Sequence, residues 1–172
     1  MTRKIFLDMD DVLCDFEARS TRLLGKKMKD FPKSSDAWDA LGDYKFNFYA
    51  LLDPMPDAHT LVEGVMSLAA DYGYPVGVLT ALPRSNCVPL AEEHKKFWLG
   101  KHFPELLTDF NIGPYAVDKQ NHCKPGYILI DDSPLNIPQW NVKGGKGILH
   151  TSAKTSLLEL RTHLESLELV TS

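Results

Sequence analysis

Acidic residues follow a short apolar run in "KIFLDMDDVLCDF", residues 4–16. Asp8, Asp10 and Asp11 come directly after the apolar residues, and a second acidic pair, residues 131–132, follows the apolar run "YILI". Carboxyl groups have ordinary pKa values near 4, so at neutral pH such a cluster repels itself unless a cation lies within it. The pattern therefore predicts a site for a divalent cation.

A hydroxyl and an ammonium group complete this set. Thr80 follows the apolar run "PVGVL", and Lys119 and Lys124 lie in the loop before "YILI". No His or Cys joins the pattern, and ligation by oxygen alone suits Mg²⁺ rather than zinc or copper. A lysine and a hydroxyl beside the metal predict a phosphoryl group as the second ligand, since its charged oxygens need hydrogen-bond donors. This chemistry is phosphoryl transfer.

A carboxylate can itself accept the phosphoryl group and form an aspartyl phosphate. We predict Asp8 as this nucleophile. Asp10 lies two residues on, on the same side of an extended chain, and is predicted as the general acid that later activates water. The predicted metal ligands are Asp8, Asp10 and Asp131, whereas Asp11 and Asp132 are interpreted as capping or turn residues.

The elements that position these residues are predicted from the spacing of apolar residues. Short apolar runs typical of buried strands cover residues 3–8, 75–80, 127–131 and 146–150, and "LLTDFNI" favours one more strand. Helical spacing covers residues 57–73, 87–103 and 154–168. Alternating strands and helices predict an α/β fold, a Rossmann-like parallel sheet with crossover helices and a ligand crevice at the carboxyl ends of its strands.

Residues 17–54 interrupt this alternation. The segment is rich in charged and aromatic residues and ends in "LLDPMP". We interpret it as a small, mainly helical cap inserted after the first strand, with residues 1–16 and 55–172 forming the catalytic core.

Composition narrows the class of protein. A chain of 172 residues with 44% hydrophobic residues can bury one sizeable core. The net charge of -4 gives no basic surface for nucleic acid. The three cysteines lie outside CxxC spacing, so no disulfide framework or zinc site is predicted. Neither a signal-peptide pattern nor an apolar run of about 18 residues occurs, so we expect a cytoplasmic protein without a membrane partner.

These motifs resemble those of the haloacid dehalogenase superfamily of phosphohydrolases. "DMDDV" is similar to the first motif, "VLTA" to the second, a lysine at 119 to the third and "LIDDS" to the fourth. The resemblance implies that Asp8 is the nucleophile, Asp10 the general acid and base, and Asp131 a magnesium ligand. It also implies that Thr80, the backbone of Ala81 and Lys119 bind phosphate.

Within that superfamily the chain most resembles the 5'(3')-deoxyribonucleotidases, through "DMDDVLCDFE", "NFYALLDPMPDA", "KKFWLGKHF" and "DK" before "LIDD". The resemblance implies that aromatic residues hold the base, and Phe16 and Trp38 match them by position. We expect these two rings to sandwich the base, and the alternative is that Trp38 only anchors the cap. Asp11 departs from the family's usual Gly. The loop after Lys119 is slightly longer than the family's, which leaves Lys124 as an alternative phosphate ligand.

The predicted function is magnesium-dependent removal of phosphate from a nucleoside monophosphate. One alternative is a phosphoaccepting signalling switch of receiver type, although there the acceptor Asp lies in mid-chain, and no Asp ends the run at residues 75–80. Another is a phosphatase acting on nucleic-acid 3' ends, which would need a basic groove. A third is hydrolysis of another small phosphomonoester.

Overall fold

The computed structural model describes residues 3–42, 47–83 and 87–171, with side chains up to residue 169. Within them, five strands form one parallel sheet, and all of the predicted strands are confirmed. They are β1 (Lys4–Leu7), β2 (Val76–Ala81), β3 (Phe110–Gly113), β4 (Tyr127–Asp131) and β5 (Lys146–Leu149).

The strands lie in the order β3-β2-β1-β4-β5, and every neighbouring pair is parallel. This confirms the predicted Rossmann-like α/β sheet. From β1 the chain adds β2 and β3 on one side, and it then crosses to the other side of β1 to form β4 and β5. Because the direction of strand addition reverses between β1 and β4, the ligand crevice is expected where these two strands end. Receiver domains have the order 2-1-3-4-5, so the strand order argues against the signalling alternative.

The described residues also form α-helices. They are α1 (Phe16–Leu24), α2 (Ser34–Gly42), α3 (Ala58–Tyr72), α4 (Ala91–His102), α5 (Asn136–Val142) and α6 (Ala153–Thr171). Short 3-10 segments cover Met28–Asp30, Tyr49–Leu51, Pro104–Asp109 and Ala116–His122. The predicted helices α3, α4 and α6 are confirmed. Among the described residues, no helix combines the length and apolar character needed to cross a membrane.

Apolar side chains cover both faces of the sheet. Ile5 and Leu7 of β1 point into the larger cluster, whereas Phe6 points to the opposite face and packs with Leu79, Leu129 and Trp140. Successive strand residues point to opposite faces, and a parallel sheet is buried on both. The strands therefore appear in the sequence as continuous apolar runs rather than as alternating patterns.

The segment between β1 and α3 is mainly helical, as predicted, although residues 43–46 of the predicted cap lie outside the described residues. Its two ends lie side by side on the core. The backbone N–H of Asp15 donates to the Asp53 carbonyl at 2.8 Å, and that of Met55 donates to the Leu13 carbonyl at 2.9 Å. The Trp98 indole N–H of α4 donates to the Leu52 carbonyl at 2.7 Å, which attaches the exit of the segment to the core.

Candidate active site

The ends of β1 and β4 bring Asp8 and Asp131 together. Leu7 pairs with Ile130 in the sheet, and the Asp8 N–H donates to the Ile130 carbonyl at 2.9 Å. Asp8 is 5% exposed and Asp131 is fully buried. Two carboxyl groups distant in sequence are thereby placed close together at the carboxyl edge of the sheet, as the sequence predicted.

Lys119 lies between these two carboxylates. Its Nζ is 2.7 Å from Asp8 Oδ1 and 2.8 Å from Asp131 Oδ2, and its side chain is almost fully buried. Burial disfavours the charged lysine, but the neighbouring Asp8 and Asp131 outweigh it and raise the pKa of Lys119. The Lys124 ammonium lies instead 6.0 Å from the centre of the Tyr127 ring, near the start of β4. The structure therefore brings Lys119, and not Lys124, to the crevice.

Gly113 at the end of β3 permits this placement of Lys119. A Cβ atom on Gly113 would lie 2.9 Å from the Lys119 backbone nitrogen and 3.1 Å from its Cγ. Those separations are too short for van der Waals contact, so any larger residue would displace the 3-10 segment that carries Lys119. No motif in the sequence marks this glycine.

Asp131 is held by further hydrogen bonds. The Asn136 amide Nδ2 donates to both carboxylate oxygens at 3.1 Å, and the Ser133 N–H donates to Oδ1 at 2.8 Å. Asn136 is the first residue of α5, which sequence reasoning missed. This helix has only seven residues and contains Pro138, which obscures the helical pattern although proline is tolerated in a first turn.

Three carboxyl groups could bind one metal ion. Asp8, Asp131 and Asp132 each offer an oxygen atom, and these atoms lie within 4.8 Å of one another. Burial raises the pKa of Asp8 despite the opposing charge of Lys119. Burial, reinforced by the charge of Asp131, raises the pKa of Asp132 to about 7. Carboxyl groups that ionise this reluctantly are stabilised by a cation, and three oxygen ligands suit Mg²⁺.

Asp10, a predicted metal ligand, is not in this group of three. Its Oδ2 atom is 2.8 Å from the Nζ of Lys95, a fully buried lysine of α4. Neither the contact of Lys95 with Asp10 nor the place of Asp132 among the three possible metal ligands was predicted from the sequence. The signal for Lys95 was its spacing of three and four residues from Trp98 and Leu99, since residues so spaced share one face of a helix.

Asp11 has a backbone φ of 57°, in the left-handed region that favours glycine. Glycine adopts this conformation without steric cost, and aspartate is among the other residues that tolerate it. The Asp11 carboxylate accepts a hydrogen bond from the Glu17 N–H at 2.8 Å, at the start of α1. This contact agrees with the interpretation of Asp11 as a capping residue. Burial raises the pKa of Asp11 to about 6.

Aromatic residues form one wall of a cavity of about 250 Å³ above the carboxylates. Phe16, Trp38 and Tyr49 line it, together with Ala81 at the end of β2. The Phe16 and Trp38 ring centres are 5.8 Å apart with their planes at 50°. A base between two rings needs about 7 Å, twice the carbon contact distance of ~3.5 Å.

The expected sandwich of a base between Phe16 and Trp38 is therefore not the arrangement found. The reason is packing within the wall: the Phe16 ring also contacts Phe48 at 5.4 Å and Tyr49 at 6.2 Å between ring centres. These contacts hold Phe16 against its neighbours and leave no gap between it and Trp38. The two rings present a shared wall to the cavity.

No family model matches the sequence, and neither does any curated protein. Solved structures do match. One is a dehalogenase, with 12% identity and a TM-score of 0.54 over 87% of this chain and 85% of that one. Another is a HAD-superfamily hydrolase of subfamily IA from Geobacter sulfurreducens, with 13% identity and a TM-score of 0.50 over 88% and 91%.

A third match is a proposed phosphoglycolate phosphatase from Lactobacillus plantarum, with 15% identity and a TM-score of 0.53 over 90% of this chain and 89% of that one. At such identities the likeness concerns the backbone. The chain therefore shares its fold with these hydrolases.

Proposed function

We propose that the protein is a magnesium-dependent phosphohydrolase that removes phosphate from a nucleoside monophosphate. The observation that carries this proposal is the position of Lys119, which lies between Asp8 and Asp131 in a crevice with an aromatic wall. An ammonium group among carboxylates suits a phosphoryl group, and an aromatic wall suits a base. A nucleotide carries both groups in one small molecule.

In the first step, a carboxylate oxygen of Asp8 attacks phosphorus and the bond from phosphorus to the sugar oxygen breaks. Asp10 gives a proton to that oxygen, which leaves as the nucleoside hydroxyl and makes Asp8 an aspartyl phosphate. In the second step, water attacks phosphorus while Asp10 takes its proton. The bond to Asp8 then breaks, so one ester and one water yield one alcohol and one phosphate.

The other residues of the crevice bind and orient the substrate in this proposal. The Thr80 hydroxyl, the Ala81 backbone N–H and the Lys119 ammonium bind phosphate oxygens. A magnesium ion held by Asp8, Asp131 and Asp132 would supply positive charge against these carboxylates and the phosphate.

The base lies against the wall that Phe16 and Trp38 share, and stacking there contributes about 1–3 kcal/mol. Residues 17–54 act as the cap that carries Trp38, on a core made of residues 1–16 and 55–172. We infer that the protein recycles free nucleotides in the cytoplasm. Its net charge of -4 supports free nucleotides over nucleic acid as the substrate.

The test is hydrolysis of nucleoside monophosphates, sugar phosphates and 3'-phosphorylated oligonucleotides by the wild type and by Asp8→Asn. Loss of the nucleophile should lower turnover by roughly a hundredfold or more. The control is Asp109→Asn, which removes a carboxylate that pairs with Lys4 at 2.6 Å, and it should remain active. Turnover by Asp8→Asn near the wild-type rate would contradict the mechanism, and a preference for oligonucleotides would favour the end-processing alternative.

A further inference from the structure

Lys95 is a buried lysine to which the proposed mechanism gives no role. Its Nζ atom contacts groups from three separate segments of the chain. It lies 2.8 Å from Asp10 Oδ2, 2.8 Å from Thr80 Oγ1 and 4.4 Å from the centre of the Tyr49 ring. A buried ammonium group is costly unless it is paired and hydrogen-bonded. These contacts therefore set where the Lys95 side chain lies.

The contact with Asp10 determines how that carboxylate is oriented. The Asp10 side chain is 27% exposed and lines the crevice. Among the described residues, its other oxygen accepts only a 3.6 Å contact from the Cys14 thiol, and thiols are weak donors. Lys95 is thus the strong partner of Asp10, which lies apart from the group formed by Asp8, Asp131 and Asp132.

The contact with Thr80 determines the direction of a proton. A lysine ammonium group only donates hydrogen bonds, so the Thr80 oxygen must accept from Lys95. Thr80 is fully buried, and its single hydroxyl proton then points away from Lys95; in the proposed function its acceptor is a phosphate oxygen. One ammonium group therefore orients both the predicted acid and a predicted phosphate ligand.

We propose that Lys95 is a positioning residue that holds Asp10 ready for proton transfer and orients the Thr80 hydroxyl towards the phosphate. This role rests on the proposed function, because the proton belongs to the first step of that hydrolysis. It passes from the protonated carboxyl group of Asp10, through Oδ1 because Oδ2 accepts from Lys95, to the leaving oxygen as the bond from phosphorus to oxygen breaks. Lys95 exchanges no proton and acts through the position of its neighbours.

The test compares two substrates that differ in their need for a proton. A nucleoside monophosphate releases an alcohol, which must be protonated, whereas dinitrophenyl phosphate releases a phenolate, which need not be. The variant Lys95→Met keeps the length of the side chain and removes its charge. The control is Lys96→Met, because Lys96 is the next residue of α4, is exposed and pairs with Glu92 at 2.6 Å.

The measurement is kcat/KM for both substrates, since this constant covers the step in which the ester bond breaks. General acid catalysis contributes about 10²–10⁴-fold. Lys95→Met should therefore lower the ratio of nucleotide to aryl phosphate kcat/KM by about 10–100-fold, and Lys96→Met should leave it within about twofold. Both constants come from one preparation, so the folded fraction cancels. Lys95→Gln gives the same readout if Lys95→Met cannot be purified.

An unchanged ratio in the Lys95 variants, with both substrates slowed equally, would overturn the positioning role and leave the proposed function intact. A fall that lies wholly in the KM for the nucleotide would also overturn it, because Lys95 contacts Tyr49 of the aromatic wall and the loss would then be one of base binding. The same fall in Lys96→Met would also overturn that role, because it would reflect a general effect of charge on α4. A wild type that hydrolyses neither substrate would overturn the proposed function, and the positioning role with it.

Discussion

Magnesium should stabilise the folded protein through Asp8, Asp131 and Asp132. In the absence of the ion, burial raises the pKa of Asp8 well above its ordinary value and the pKa of Asp132 to about 7. An ion that binds these oxygens offsets the repulsion between the carboxylates in the folded state only. The perturbation is removal of divalent ions with a chelator, followed by readdition of magnesium.

The size of the effect follows from mass action and from chain length. A ligand present at 100 times its Kd stabilises the folded state by about 2.7 kcal/mol. A chain of 172 residues has an unfolding entropy of about 0.36 kcal/mol/K. The melting temperature should therefore rise by about 7 °C.

The assay is scanning calorimetry of three proteins, each compared with its own metal-free form. Loss of a ligating carboxylate in Asp132→Asn should raise the Kd for magnesium at least tenfold. The stabilisation by magnesium then falls by about 1.4 kcal/mol, which removes about 4 °C of the shift in melting temperature. Asp109→Asn, which lacks a carboxylate outside the group of three, should keep the full shift. A wild-type shift below about 1 °C, or a full shift in Asp132→Asn, would refute the assignment of these ligands.

Two further predictions concern the aromatic wall and a buried histidine. In steady-state kinetics, Trp38→Ala should raise KM for a nucleoside monophosphate roughly tenfold, because it removes base stacking, and change KM for an aryl phosphate less than about twofold. Equal losses on both would make Trp38 purely structural. Burial lowers the pKa of His150, whose Nδ1 lies 2.9 Å from Ser156 Oγ. Because the folded protein favours the neutral imidazole, the stability that His150 contributes is fully present above its unfolded pKa of about 6.5. That stability is lost as the pH falls from this value through the lower pKa of the folded state. In urea unfolding, His150→Asn should lose less stability than the wild type between pH 7.5 and 5.5, and identical losses would contradict this.

The strands and the positions of Asp8 and Asp131 could be predicted because the signals are local. Each strand is a continuous apolar run, and in a parallel sheet the residue after such a run lies at the carboxyl edge. Lys119 is expected near the same edge because it precedes β4, and its choice over Lys124 rests on the family resemblance. The helix α5 escaped prediction because it is short and contains a proline.

The choice between Asp10 and Asp132 as the third acidic residue could not be made from the sequence. It depends on Lys95, which lies 85 residues from Asp10 along the chain and reaches it only through the packing of α4. The aromatic wall presents the same difficulty. Spacing placed Phe16 and Trp38 near the crevice, but the distance between their rings depends on how Phe48 and Tyr49 fill the space around Phe16.

The hydrogen bonds between the two ends of the segment that joins β1 to α3 affect how freely the length of that segment can change during evolution. Because hydrogen bonds join Asp15 to Asp53 and Leu13 to Met55, the segment is a loop whose closure is set at its base. The entropy of closing such a loop grows only with the logarithm of its length, about 0.6 kcal/mol for each doubling. Insertions at exposed positions of this segment therefore add little to the free energy of closing it, whereas Leu41, Phe48 and Tyr49 are buried in the main core and cannot be deleted without loss of packing. In the proposed function, such insertions would change the residues that lie above the carboxylates, and with them the range of accepted substrates, without moving Asp8 and Asp131.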